Sequence, residues 1–396
     1  MQADTGKTKN SAAEAAEKKT PRLADILTAA VFLLFVFGIG AATLFSSDRE
    51  FSEMENRTLA QKPEFSLESV KKGEYTDKLE TYLSDQIFGK DLFVSIKTDF
   101  DRLLGKRFQN GVYLVSDSDG SMRFLQQYTE NTDQIDENIG YINDFAETVN
   151  IPVDFILVPN AQSALGDKLP SYALCDDQNK SIERVGEKLS DKVNFYPMNF
   201  EEAGLAGKED SYYRTDHHWT SLGAWNVVNA YLALSGQKNI LPEYESETIP
   251  DFYGTLYSKA PSAAAEPDPL WLYTNPDGKY SVTWLPAGNT SDSIIDRSFF
   301  DKKDKYAGFF GGNFTRVDIT SQNEGEKVLI IKDSYANAAM QFLIDQYSEI
   351  TMIDLRYYHM QMQTIAELCE EKKIDRIILL YNMDFVNEDQ NFIWLM

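Results

Sequence analysis

The sequence predicts an α/β protein, a parallel sheet with helices on both faces behind a single membrane-spanning helix, and three observations predict it. Residues 328–381 alternate apolar strand-type runs with helix-periodic segments: strand 328–331, helix 336–347, strand 350–353, helix 361–372 and strand 376–381. Residues 133–196 show the same rhythm, with a helical pattern at 133–149, the run Val153-Asp154-Phe155-Ile156-Leu157-Val158, a helix at 180–190 and a strand at 193–196. Such alternation joins parallel strands through covering helices by right-handed connections. Finally, residues 26–45 carry no charged side chain, and at the helical rise they cover about 30 Å, the thickness of a bilayer core.

Taken in order, residues 1–25 form a cytoplasmic tail, polar and alanine-rich without apolar periodicity, and read as disordered. Lys18, Lys19 and Arg22 precede the apolar anchor at 26–45, while Asp48, Glu50, Glu53 and Glu55 follow it. Because the cationic flank stays in the cytoplasm, the bulk of the chain is expected on the extracellular side of the cell membrane. A cleaved signal peptide, with Gly40-x-Ala42 as its small-residue site, is the competing reading; the length of the apolar stretch favours a retained anchor. Residues 46–110 read as an extracellular linker and then helices, with Leu79, Tyr82, Leu83 and Ile87, then Phe93, Ile96 and Phe100, at helical intervals.

The main domain is expected over 111–396. It opens on a strand at 112–115 closed by Asp117-Ser118-Asp119-Gly120, a hairpin turn rather than a calcium loop, because the bidentate glutamate such a loop requires is missing. A helix at 221–234 directs Leu222, Trp225, Val228 and Leu232 to the core. Residues 236–310 break the rhythm with Pro, Gly and Ala and form an insertion of the kind that shapes substrate access. Within it, 270–273 and 280–284 face each other across Asn275-Pro276-Asp277-Gly278 as a hairpin.

With 62 acidic and 38 basic residues the formal net charge is −24, which repels phosphate backbones and sets nucleic acid aside as a partner. Cys175 and Cys369 are the only cysteines, so the fold rests on its core, and whether they pair is not readable from their spacing. The 24 Phe, 21 Tyr and five Trp are core residues first, and in an extracellular protein some line sugar grooves.

Chemistry concentrates in two stretches. Asp216-His217-His218-Trp219 holds two of the three histidines beside a carboxylate, and in an extended segment Asp216 and His218 share a face while His217 points away. Asp216 then fixes the His218 tautomer and leaves Nε2 as a general base. Lys332-Asp333-Ser334-Tyr335 ends a strand and starts a helix, where a serine is exposed and its own N–H faces developing negative charge. Ser334, His218 and Asp216 are thus candidate nucleophile, base and orienter. Gly312, Asn313 and Tyr335 are candidate oxyanion or substrate contacts. The same residues also fit plain roles: Asp216 or Thr220 as a helix cap, Asp333-Ser334 as a capping pair, Gly311-Gly312-Asn313 as a turn. A zinc site lacks ligands, since His217 and His218 diverge and only His359 remains, so no metal and no cofactor is expected. Arg356 and His359, after the middle strand, read as surface residues.

Asp216-His217-His218-Trp219 resembles the signature of the DHHW protein family, and Lys332-Asp333-Ser334-Tyr335 is similar to the serine block of that family. Glu55-Asn56-Arg57 with the following Pro63, and Ser84-Asp85-Gln86-Ile87-Phe88-Gly89, resemble further recurring features of it. That family resembles the SGNH-hydrolase-like proteins of alginate O-acetylation. The resemblance implies an SGNH-hydrolase-like fold. Because the Asp/His pair here precedes the serine, it also implies a circularly permuted sheet. It further implies Asp216 and His218 as orienter and base to a nucleophilic Ser334, a polysaccharide substrate, and a membrane-bound O-acyltransferase as acetyl donor. Two functions stay open: a serine O-acetyltransferase or acetylesterase acting on polysaccharide hydroxyls, and a non-catalytic envelope protein that binds glycan or scaffolds a complex with the same fold.

Overall fold

The structure, a computed structural model, describes residues 23–52, 54–55, 57–199, 209–359 and 363–396; the tail expected to be disordered lies outside them up to residue 22. The chain divides into two compact units, residues 1–51 with 58–90, and residues 52–57 with 91–396.

In the first unit, α1 (Leu23–Phe45) buries none of its side chains and is long and apolar enough to cross a membrane, by length and composition. Ser66 caps α2 (Leu67–Lys72) by accepting the Ser69 N–H, and Gly73, in the left-handed region at φ 82°, turns the chain into α3 (Glu74–Asp85). The block at residues 84–89 ties the linker to α3. The Asp85 carboxylate accepts the Ala60 N–H at 2.9 Å, and the Gln86 amide bonds both the N–H and C=O of Arg49 at 2.9 Å.

The second unit starts within α4 (Lys90–Leu103) and continues into the expected hairpin, Val112–Ser116 paired with Met122–Gln126. Its centre is an eight-stranded sheet of β1 (Val153–Val158), β2 (Val193–Pro197), β3 (Tyr280–Leu285), β4 (Asn289–Ser291), β5 (Arg316–Ser321), β6 (Lys327–Lys332), β7 (Glu349–Ile353) and β8 (Arg376–Asn382), in spatial order β4-β3-β5-β7-β6-β8-β1-β2. The last five in that order are parallel, and β3, β4 and β5 add an antiparallel wing. Counted from the strand that leads to Ser334, the parallel strands follow the doubly wound order 2-1-3-4-5, with positions 4 and 5 filled by β1 and β2 from earlier in the chain. This is the circular permutation.

Strand periodicity splits the core into two layers. Val328, Ile330, Ile378 and Leu380 face α7 (Ser221–Leu234) and α8 (Tyr335–Leu343). Leu329, Ile331, Ile377 and Leu379 face the opposite layer of α5 (Thr132–Thr148), α6 (Gln178–Lys188) and α9 (Ile365–Lys372). Cys369 is buried in the second layer and Cys175 packs against the first; both are free thiols.

Two expectations fail here for physical reasons. The 270–284 hairpin does not form, although Gly278 N–H does bond Asn275 C=O at 3.1 Å. Asp268–Thr274 pairs instead with Glu245–Phe252, burying Leu270 and Leu272, while β3 runs along β5 over six residue pairs, a strand the sequence reading did not single out. Leu222 is 41% exposed, because Gly223 and Ala224 take the inward positions; a Cβ on Gly223 would come within 2.3 Å of the Ser211 carbonyl.

Candidate active site

Ser334 lies one residue beyond Asp333, outside the carboxyl end of β6, where the strand order reverses and doubly wound folds bind ligands. Asp333 shapes the turn. Its Oδ1 accepts the Tyr335 N–H at 2.8 Å, and its Oδ2 accepts the Asn382 N–H and amide at 2.7 and 2.6 Å, pinning the serine turn to the end of β8. Burial nonetheless pushes the Asp333 carboxyl up to about 6.

The residues facing Ser334 come from a loop closed by the single bridge Tyr212↔Trp219. That loop arches over the sheet and is fastened at several points. The Tyr212 hydroxyl donates to Pro159 C=O at 2.5 Å, and the Trp219 indole N–H donates to Tyr335 C=O at 2.9 Å. The Asp268 carboxylate accepts the N–H groups of Arg214 and Thr215 at 2.9 and 2.8 Å. The result is a continuous series: Asp216 Oδ1 to His218 Nδ1 at 2.5 Å, then His218 Nε2 to Ser334 Oγ at 2.8 Å. The Tyr306 ring stacks on the His218 imidazole, centroids 3.7 Å apart and planes 10° apart, while its hydroxyl donates to Ser334 C=O at 3.1 Å. Tyr306 therefore fixes both the His218 imidazole and the turn that carries the Ser334 hydroxyl.

The Asp216 carboxylate is fully satisfied. Oδ1 accepts the His218 N–H (2.9 Å) and Nδ1; Oδ2 accepts the Thr255 N–H (2.7 Å) and hydroxyl (3.0 Å). Four donors fill its four acceptor sites. Burial pushes this carboxyl up, but the two histidines beside it outweigh burial and hold it well below the usual carboxylate range. Burial, reinforced by His217, lowers His218 to about 4, so the imidazole is neutral near pH 7 with a lone pair directed at the hydroxyl.

His217 does not point away. The segment is a compact loop rather than an extended strand, so side-chain alternation does not apply. The His217 ring lies 3.8 Å from the His218 ring, and its Nδ1 is 2.7 Å from Thr255 Oγ1, whose proton goes to Asp216. Burial lowers its pKa, yet Asp216 dominates and the net direction is upward. Ligand atoms of Asp216, His217 and His218 lie within 4.8 Å of one another. Every acceptor site of the carboxylate and both nitrogens of His218 are already engaged, so the trio is a proton network and not an open coordination shell.

The other sequence candidates lie elsewhere or are occupied. The Tyr335 N–H is committed to Asp333, and its hydroxyl bonds the His217 carbonyl and accepts from the Asn160 amide at 3.1 Å, so Tyr335 braces the loop rather than offering an oxyanion donor. Asn313 Oδ1 accepts from the buried Lys332 ammonium at 2.9 Å and from Asn337 at 3.3 Å. Among the described residues no hydrogen bond joins Gly312 or Asn313 to Ser334. Burial lowers Lys332 to about 8 despite Asp354 nearby. Arg356 is held by both oxygens of the buried Asp354 rather than lying free on the surface, and His359 stacks on Trp394. Sequence reasoning missed Gly254 and Thr255, which sit in the insertion. A Cβ on Gly254 would fall 2.2 Å from the Asp216 Cβ, so only glycine lets this backbone approach the carboxylate. Nothing in their spacing sets the pair apart.

The family model of the DHHW protein matches residues 108–353, well over half of the chain and both motif blocks. The chain belongs to the DHHW protein family. Among solved structures, a DHHW family protein from Eubacterium siraeum is similar at 25% identity, with a TM-score of 0.61 over 72% of this chain and 95% of that one. Bacillus cereus PatB1, in a structure with a sulfonyl adduct, has a TM-score of 0.60 at 21% identity over 72% of this chain and 99% of that one. The O-acetyltransferase domain of Pseudomonas putida AlgJ covers 70% of this DHHW protein and 93% of its own length, at 14% identity and a TM-score of 0.43. No curated protein matches the chain.

Proposed function

We propose that this DHHW protein is a membrane-anchored serine acyltransferase or acetylesterase that acts outside the cell on hydroxyls of a surface or exported polysaccharide. The observation that carries the reading is the unbroken hydrogen-bond series from Asp216 through His218 to Ser334. In the first half-reaction Ser334 Oγ attacks the carbonyl carbon of an acetyl ester while its proton passes to His218 Nε2; the leaving oxygen then takes that proton back as the ester bond breaks. In the second, a sugar hydroxyl or water gives its proton to His218 and attacks the acetyl-serine, and the proton returns to Ser334. Asp216 stays ionised and stabilises the transient imidazolium. The Ser334 N–H, at the head of α8 and without a protein acceptor among the described residues, supports the oxyanion.

Extracellular placement rests on the charge flanks of α1: Lys18, Lys19 and Arg22 before it, and Asp48 and Glu50 after it. Acetyl transfer there draws on a membrane-bound O-acyltransferase as donor, with α1 keeping the two in one bilayer. The resemblance of the Asp216-to-Trp219 and Lys332-to-Tyr335 blocks to the proteins of alginate O-acetylation supports the acetyl group as cargo. The test is turnover of 4-nitrophenyl acetate by the full chain, with and without acceptor oligosaccharide. Acceptor-dependent loss of nitrophenyl ester with acetylated sugar as product marks transfer; acetate release unaffected by acceptor marks hydrolysis. Turnover that survives Ser334→Ala would leave only the glycan-binding reading.

A further inference from the structure

Helix α4 is built the wrong way round for a soluble domain. Its small polar side chains face the protein: Ser95 and Thr98 are buried, and the Asp99 carboxylate accepts the Ser262 hydroxyl and the Ala263 N–H, the latter at 2.9 Å. Four of its large apolar side chains face outward, while Phe93 and Val94 are half-buried. Leu92, Ile96, Phe100 and Leu103 are 61%, 54%, 59% and 82% exposed. At helical spacing these four fall within an arc of about 80°. A stripe of four bulky apolar residues is larger than the scattered exposure normal for a soluble surface and marks a contact.

Charge identifies what the stripe meets. In a chain of net charge −24, residues 90–107 carry five cations (Lys90, Lys97, Arg102, Lys106, Arg107) against three acids (Asp91, Asp99, Asp101), a local excess of +2. Three of those cations gather at the carboxyl end, at 102, 106 and 107; Lys106 pairs with Asp101 at 2.7 Å, and Arg102 and Arg107 supply the excess there. An outward apolar stripe with a basic end fits the interface of an anionic bilayer, into which such a helix sinks its apolar face. Chain continuity agrees, since α4 begins at Lys90, the last residue of the unit that carries the apolar helix α1.

We propose that α4 lies in the interface of an anionic phospholipid bilayer, apolar stripe down. The inference stands apart from the chemistry at Ser334. It is tested on the full chain in nanodiscs of anionic lipid, in a Cys175→Ser background, with an environment-sensitive fluorophore on Ile96→Cys or Phe100→Cys and on Glu187→Cys of α6 as reference. Acyl chains bearing a doxyl quencher are expected to remove roughly half of the emission at 96 and 100 and almost none at 187, given burial at the headgroup and acyl boundary. Zwitterionic lipid is expected to reduce the effect. In Ile96→Glu the label at 100 is expected to lose its quenching while the circular-dichroism melt is unchanged, which separates loss of contact from loss of fold. Quenching at 96 and 100 no greater than at 187 overturns the proposal. So does shielding that appears only with two protein copies per disc, which would assign the stripe to a second chain.

Discussion

Asp216→Asn removes one charge and one acceptor at the point where four donors converge. An amide keeps a single acceptor oxygen and replaces the other with an NH2. If the oxygen faces His218, the Thr255 N–H, now 2.7 Å from an acceptor, faces a donor instead. A buried donor left unpaired costs about 1–3 kcal/mol of stability. If the NH2 faces His218, the ring must accept at Nδ1 and carry its proton on Nε2, where it can no longer take one from Ser334. In both arrangements the negative charge that stabilises the imidazolium is gone. The rate of acyl transfer is therefore expected to fall roughly 10³- to 10⁴-fold, the loss seen when a triad carboxylate becomes an amide. That corresponds to about 4–5.5 kcal/mol in the barrier at 1.36 kcal/mol per tenfold. The assay is 4-nitrophenyl acetate turnover by the full chain, read beside its melting temperature. A loss below about tenfold in a variant that melts like wild type would refute the role given to Asp216, because a triad without its carboxylate cannot retain that rate.

Thr255→Val keeps the backbone donor and deletes the hydroxyl that both serves Asp216 and receives His217, so turnover is expected to drop roughly tenfold, about the worth of one charge-assisted hydrogen bond. His217→Ala, measured in the same assay, is expected to cost a similar roughly tenfold factor and far less than His218→Ala, because His217 acts through Thr255 and not on the hydroxyl. Gly254→Ala is expected to lower both melting temperature and turnover, since its Cβ collides with Asp216; unchanged values in both would show that the close approach is unimportant. The pH profile follows from His218. Because its pKa is lowered from 6.5 to about 4, the base form is present above that value and is lost as pH falls through it. The acid limb of kcat/KM is expected near pH 4 rather than 6.5, and a limb at 6.5 would place the base in water.

Much of this was legible in the residues, and the failures share a cause. Strand and helix existence followed periodicity, and helix 221–234 agrees to the residue, because apolar spacing is a local property. The convergence of Asp216, His218 and Ser334 was suggested by residue types and motif blocks. The direction of His217 was misread because alternation holds for strands, and the loop geometry is set by distant anchors such as Asp268 and Tyr335, which no local pattern reveals. The Gly254-Thr255 contact lies within residues 236–310 and the wing strand β5 just after them, and both depend on pairing between segments far apart in the chain. Tyr306, stacked on His218, lies in the segment Tyr306-Ala307-Gly308-Phe309-Phe310, where no local pattern sets it apart.

The most direct measurement is covalent modification of the full chain by a sulfonyl fluoride, followed by peptide mass mapping. A single adduct on Ser334 is expected, formed at a rate that is flat from pH 6 to 8, abolished in Ser334→Ala and reduced by several powers of ten in His218→Ala. An adduct elsewhere, or Ser334 labelling that ignores His218, would contradict the account.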